Sequence, residues 1–415
     1  MTIWECPHPE KFLDEIFSTL QNGDRHVLIH LPIWRLAGFQ DALWDASQSR
    51  RLHLHFPEAP NARRPLELMR GLSLKPDDFQ AADPASWEPK SENIALAIPS
   101  ELNAGEVKEW LGFIEAAAAS GREFHERMGG LEKEGALLPL PWRLIFLAPA
   151  HFPSPKPETS LEIFLASGLC GQSDLEWAVE RCASDQGGRL EASSRLWLES
   201  ICKGVAMRDV GLCASVFKAL PLDLPDVMDM LMAYPFHELG KELAREVIAV
   251  DEGNEQGPES WRARERLREM GILDLDCRGW EALHPSALAQ ANRRQTVEGL
   301  LRQGQVRVYF PLAQDAHSFI VQKLDKCCDP DWRRKSLQWH KETNQYVNES
   351  DTCLGIGPLA EYMARHLKGV CGGDLLELAR LWQNIRNEIA HDRLLKFEDT
   401  VDAVDLFEEM RQARI

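Results

Sequence analysis

A chain of 415 residues exceeds one ordinary hydrophobic core, and domains of roughly 100 to 200 residues predict about two to four of them. The formal net charge of −18, from 65 Asp plus Glu against 47 Lys plus Arg, repels polyanions. That excludes a general nucleic-acid coat protein or a peripheral membrane binder, while a nuclease with a local basic site stays open.

The first 25 residues contain neither a basic segment nor a continuous apolar one, and no run of 18 apolar residues occurs, so a cytoplasmic protein without membrane contact is expected. Ten cysteines occur without any C-x-x-C spacing; the closest pairs are Cys327 with Cys328 and Cys202 with Cys213. They read as buried thiols, and neither a metal nor a cofactor is expected. Charge is unevenly placed: residues 293–415 carry 18 Lys plus Arg and 19 Asp plus Glu, net −1, against 29 and 46, net −17, before them. Nucleic-acid chemistry belongs in the last third.

The opening third alternates helix and strand signals. Apolar positions Phe12, Leu13, Ile16 and Leu20 give a helix over 9–20, and Asn22-Gly23 stops it. His26 to Leu31 is a short apolar run ended by Pro32, a buried strand by length. A helix over 35–47, a strand over 52–56, a strand over 93–98, a helix over 104–119 and a strand over 143–147 follow. This order predicts a parallel sheet with crossover helices, which binds ligands at the carboxyl ends of its strands. The segment Leu31-Pro32-Ile33-Trp34-Arg35-Leu36 lacks the glycines and lysine of a phosphate loop, so no ATP hydrolysis is expected. The layout of initial helix, strand and entering helix resembles the core of AAA-type or STAND ATPases without their motifs. A Rossmann-like sensor domain of the CARF type is the other reading.

Phe152 to Pro157 is a proline-rich hinge, and residues 159–250 read as all-helical. From Pro258 a third pattern runs: a helix over 261–270, a strand at Ile272 to Leu275, a turn at Cys277-Arg278-Gly279, and a strand from Trp280. It resembles the recognition helix and wing of a winged helix-turn-helix. Arg262, Arg264, Arg266 and Arg268 make that helix basic, while Glu259, Glu265 and Glu269 offset them. Packing and DNA contact both stay open.

The last third is helical over 297–301, 310–324 and 357–367, and a long amphipathic helix begins near Asp374, with Leu375, Leu378, Trp382, Ile385 and Ile389 on one face. It ends in Arg386-Asn387-Glu388-Ile389-Ala390-His391. This string matches R-N-x-x-x-H, the active form of the R-x4-6-H motif of HEPN domains, and residues 293–415 resemble that family. The resemblance implies an endoribonuclease that forms a homodimer, with two motif helices meeting across a two-fold axis. It further implies an RNA substrate and an effector role in a bacterial antiviral defence or toxin system.

The spacing makes independent chemical sense. At 100° per residue Asn387 and His391 project from nearly the same face one turn apart, and the long Arg386 fork can bend over that site. Metal-free RNA cleavage needs a group that moves the 2'-OH or 5'-oxygen proton, which histidine can do near neutrality, and a cation for the phosphorane, which arginine supplies. Asn387 would orient the imidazole or the phosphate. Expected products are a 2',3'-cyclic phosphate and a 5'-hydroxyl. Glu388 and Asp392 flank the motif and would weaken attraction for phosphate. Arg380, Arg393 and the stretch Arg333-Arg334-Lys335, between Trp332 and Trp339, are candidate RNA contacts that restore it. A solvated loop with two buried tryptophans is the other reading of that stretch.

The expected protein is therefore mainly α, with an N-terminal α/β domain, parallel-sheet and P-loop- or Rossmann-like, over 1–152. A helical domain over 158–250, a winged-helix-like segment over 258–292 and a HEPN bundle over 293–415 follow it. A protein partner or nucleotide signal would act on the N-terminal domain. The alternative function is a non-catalytic adaptor or regulator that binds protein or DNA.

Overall fold

The computed structural model describes residues 6–413 except 23–24, 32–35, 51, 53, 58–62, 66–92, 100, 129–142, 151, 157–159, 167, 170, 187–189, 237, 254–257, 344–352 and 371. The loop after the first strand, on which the absence of a phosphate site was read, lies outside the described residues. The protein is mainly helical with one five-stranded parallel sheet, and it divides into two compact units. One comprises Met1–Asp174 with Phe236–Ala287, the other Leu175–Pro235 with Leu288–Ile415.

In the first unit the described elements are α1 (Pro7–Asn22), β1 (His26–Leu31), α2 (Leu36–Ser49), β2 (Leu54–His55), β3 (Asn93–Ala97), α3 (Ala104–Met128), β4 (Arg143–Pro149) and β5 (Leu161–Leu165). All four strand pairings are parallel, in the order β2-β3-β4-β1-β5. β1 is buried along its whole length because it lies inside the sheet with both faces covered, which is why it reads as an unbroken apolar run. Leu28, Leu96, Leu144 and Phe146 pack with Trp110 and Ile114 of α3. Elsewhere the Phe12 ring of α1 meets Phe39 of α2 at 6.4 Å and Phe164 of β5 at 5.9 Å. In Rossmann and flavodoxin-like orders β2 lies beside β1; here β2 is at the far edge, and β1 is flanked by β4 and β5.

β5 corrects the expectation that residues 159–250 are all helical. Leu161 to Leu165 is a short edge strand, mostly half-buried, and its five residues carry no clean alternation to distinguish it from a helical turn. The sheet therefore continues past the proline hinge. The unit is completed by α8 and α9 (Lys241–Asp251 and Pro258–Glu269) and by the antiparallel hairpin β6–β7 (Leu273–Leu275, Glu281–Leu283).

The second unit contains α4 (Gln172–Asp185) from Leu175 on, α5 (Ala192–Val205), α6 (Gly211–Ala219) and α7 (Leu224–Ala233). After α10 (Pro285–Gln290) come α11 (Arg294–Cys327), α12 (Trp332–Thr343), α13 (Ile356–His366), α14 (Gly373–Ala390) and α15 (Phe397–Gln412). The expected division between a helical domain at 158–250 and a bundle at 293–415 does not coincide with these units, and packing supplies the reason. α5 lies directly on α11, with Gly204 facing Gly304: a Cβ on Gly304 would fall on the Ser200 carbonyl oxygen, and one on Gly204 would stand 2.6 Å from Leu300 O. Backbones so close cannot belong to independent domains. α11 also joins the separate segments expected at 297–301 and 310–324 into one 34-residue helix that carries Pro311 in its interior. The basic stretch at 332–341 is helix α12 and not a loop.

Candidate functional site

α14 buries Leu375, Leu376, Leu378, Ala379, Trp382 and Ile385. Trp382 meets Phe407 of α15 edge-on at 6.0 Å, and Phe407 meets Phe319 of α11 at 5.7 Å, so one aromatic chain fixes three helices. The opposite face points outward, and Arg386 and His391 are both exposed at its carboxyl end. His391 is the C-cap, with its backbone N–H donating to Asn387 O at 2.9 Å. Among the described residues its imidazole makes no hydrogen bond or ion pair. Arg386 Nη1 donates to Asn387 Oδ1 at 3.3 Å, so Asn387 here meets the guanidinium, while the imidazole, one of its two expected partners, stands apart.

The turn after His391 has a defined geometry. Asp392 N–H donates to Ile389 O at 3.1 Å and Arg393 N–H to Glu388 O at 2.9 Å, the paired bonds of a Schellman cap. Its left-handed residue is Asp392, at φ 53°, where glycine is usual and another residue costs about 1–2 kcal/mol. Arg302 of α11 offsets this by donating to both the Asp392 carbonyl, at 2.7 Å, and the Asp392 carboxylate. The acidic neighbour expected to repel phosphate is thus held in an ion pair. Three residues on, Gln305 of α11, 3% exposed, pairs with both backbone groups of Leu395.

Arg302 and Gln305 escaped the sequence reading. A signal existed in Gln305, which interrupts the apolar series Val297, Leu301, Val308 at a buried position. A buried amide in an apolar stripe requires a partner, but nothing local says that the partner lies at Leu395.

The expected RNA contacts divide. Arg386 and Arg380 are exposed on α14 and form no ion pair among the described residues, while Arg393 pairs with Glu388 at 3.3 Å. Arg333, Arg334 and Lys335 lie on α12 and are each held by an aspartate: Asp325, Asp331 at 2.9 Å and Asp329 at 2.8 Å. The guanidinium of Arg333 holds the Asp325 carboxyl below its ordinary range, and the Lys335 ammonium does the same to Asp329. Trp332 is buried, with Nε1 donating to Asp325, and Trp339 packs on Tyr362 of α13 at 5.5 Å. Since α11 meets the His391 turn at Arg302 and α12 at Asp325, the two places are about 35 Å apart along that helix. The structure does not gather the basic stretch around the motif.

In the first unit three of the four α9 arginines are also occupied. Arg264 and Arg268 both pair with Glu281 of β7, and Arg266 pairs with Glu242 and Glu246 of α8. The basic helix thus clasps its own hairpin and neighbour. A cavity of about 330 Å³ opens at the carboxyl ends of β1 and β5, bounded by His30, Leu165, Leu273 and Asp274, with Glu265, Arg268 and Glu269 on its α9 side. Arg268 is already paired with Glu281, and the acidic groups outnumber it.

Among the described residues no group of three His, Cys, Asp or Glu could hold a metal ion, and no helix is long and apolar enough to cross a membrane. No family model, curated protein or solved structure matches the chain.

Proposed function

We propose that the protein is a metal-independent endoribonuclease of the HEPN type, an effector of a bacterial defence or toxin system restrained by its N-terminal part. The observation that carries this reading is the exposed, unbonded imidazole of His391 beside the Arg386–Asn387 pair, at a helix end pinned from behind by Arg302 and Gln305. An exposed imidazole left out of side-chain bonding, beside an exposed arginine without an ion pair, on a turn that is held firmly, is an arrangement for acting on something outside the chain.

In the proposed reaction the 2'-oxygen of RNA attacks the adjacent phosphorus while His391 of one copy takes its proton. Arg386 carries the charge of the phosphorane, and His391 of a second copy returns a proton to the departing 5'-oxygen. One chain supplies one imidazole, so the site is completed in a homodimer. The strand order, with β1 between β4 and β5, supports a degenerate AAA-type core over a Rossmann-like one for the input domain, and a protein or nucleotide signal would act there.

The test is cleavage of single-stranded RNA in EDTA by the full-length protein, with His391→Ala and Arg386→Ala as controls. The reading expects 2',3'-cyclic phosphate ends from the wild type and losses of about 10²- to 10⁴-fold in each variant. Equal activity in all three removes the motif from the chemistry. Inertness of the wild type, with candidate partners supplied, favours the non-catalytic adaptor, a role that the internally neutralised cations of α12 and α9 would also suit.

A further inference from the structure

Behind the His391 turn the helical unit borders a second space, open on one side. A cavity of about 620 Å³ is lined by Trp197 and Ile201 of α5, Leu224 and Val227 of α7, Leu301 and Gln305 of α11, and the segment from Leu394 to Glu398. Its volume corresponds to about twenty liquid water molecules and falls within the range of small-molecule clefts. The floor is dry by composition: Trp197, Ile201, Val227, Leu301 and Leu395 are each at most 4% exposed. The floor's polar atoms are already committed. Trp197 Nε1 donates to Pro221 O at 3.0 Å, and both amide atoms of Gln305 serve Leu395. Water filling this space would have few partners, so an apolar occupant is favoured.

The rim is charged, and unevenly. Asp223, Asp226 and Glu398 line it against Lys396 alone, and all four are exposed. Asp223 and Asp226 cap the chain around the start of α7, accepting from Asp226 N–H and Leu222 N–H at 3.0 Å each. Each accepts with one carboxylate oxygen, leaving the ionised group at the mouth. Apolar body and positive end are thus the chemistry that fits.

One wall of the cavity is the segment that immediately follows the motif. Leu394 is three residues beyond His391, and Leu395 is fixed by Gln305 from the floor. A molecule seated there presses on the same segment that the Arg302 and Gln305 contacts hold.

We propose that this cavity binds a small amphiphilic cation, an aromatic or aliphatic body bearing one ammonium group, and that its occupation tightens the turn carrying His391. Binding does not depend on the ribonuclease reading; only its catalytic consequence rests on that reading.

The experiment titrates the full chain calorimetrically with 2-(2-naphthyl)ethylammonium and with its shape-matched anion, 3-(2-naphthyl)propanoate. The ammonium probe is expected to bind once per chain and at least about fivefold more tightly than the carboxylate, from the net negative rim. Asp226→Asn with Glu398→Gln removes that preference while keeping the capping acceptor, and Val227→Phe, which narrows the floor, weakens both probes. Amide exchange at Leu395 and His391 slows when the ammonium probe is bound. Equal or tighter binding of the carboxylate, no binding of either probe, or a preference that survives the charge-neutral variant overturns the site. Binding without any change in exchange overturns its link to the turn. If the probe binds and slows exchange while RNA is never cleaved, the ribonuclease reading fails and the cavity stands.

Discussion

The side-chain amide of Gln305 satisfies both backbone groups of Leu395, ninety residues later: Nε2 donates to the carbonyl at 3.2 Å and Oε1 accepts from the N–H at 2.8 Å. The pair acts as a fragment of β-ladder supplied by a side chain, and with the Arg302–Asp392 contact it fixes the chain for four residues after His391. Gln305→Ala leaves a buried donor and a buried acceptor without partners. Urea unfolding should show a loss of about 2–4 kcal/mol, and the Leu395 amide should become one of the faster-exchanging amides of its unit. A loss under 0.5 kcal/mol would show that water or a rearranged turn replaces the amide.

Gly304 and Gly204 set the distance between α11 and α5. Because the atoms in the way are backbone, they cannot swing aside as a flexible side chain would. Gly304→Ala, although it raises intrinsic helix propensity by about 1 kcal/mol, should destabilise the protein by roughly 1–3 kcal/mol or more through forced separation of the helices. The expected readout is a lowered melting temperature. Gly299→Ala on the same helix, with nothing within 4 Å of the added methyl, should be neutral or stabilising.

The α12 cations make a different kind of prediction. Arg333, Arg334 and Lys335 are neutralised by Asp325, Asp331 and Asp329, whereas Arg380 and Arg386 are exposed without ion pairs among the described residues. Replacing the three α12 cations by alanine should change RNA affinity less than about twofold. Arg386→Ala should reduce the salt dependence by roughly 0.7 in log–log slope, one phosphate contact with single-stranded RNA. Fluorescence anisotropy over a salt series separates the two sets, and a larger slope change from the α12 triple would return that stretch to the interface.

His30, near the carboxyl end of β1, is 5% exposed, and burial lowers its pKa from the ordinary 6.5 despite a contact with Pro149 O. Below 6.5 the unfolded chain therefore takes up a proton that the folded chain resists. The sign follows: stability is unaffected by this group above that value and falls as pH drops beneath it, by at most about 1.4 kcal/mol per pH unit until the folded imidazole also titrates. Denaturant melts between pH 7.5 and 5 should show this slope, and His30→Gln should flatten it. An unchanged slope in the variant would place the proton uptake elsewhere.

Much of the local structure was legible in the chain. β1, β3 and β4 announce themselves as short apolar runs, and α14 by residues three and four apart, because such periodicities record which face is buried. The motif at Arg386 to His391 was equally legible, being contiguous and at the end of a regular helix. β5 was missed because a half-buried edge strand leaves only a faint pattern in five residues. The long helix α11 was read as two pieces, with Pro311 inside it.

The chain by itself determined the buried inner strands and the amphipathic helices, the position of the Arg386 and His391 pair, and the concentration of acidity before residue 293. Tertiary structure alone decided which charges are available. Arg264, Arg266 and Arg268 of α9 and Arg333 of α12 look alike in sequence to Arg380 and Arg386, yet carboxylates of other elements hold the former and leave the latter exposed. It also decided that Arg302 and Gln305 belong to the motif's turn. A pairing across ninety residues leaves no periodic trace, since its energy comes from where the helices cross and not from what stands next to what along the chain.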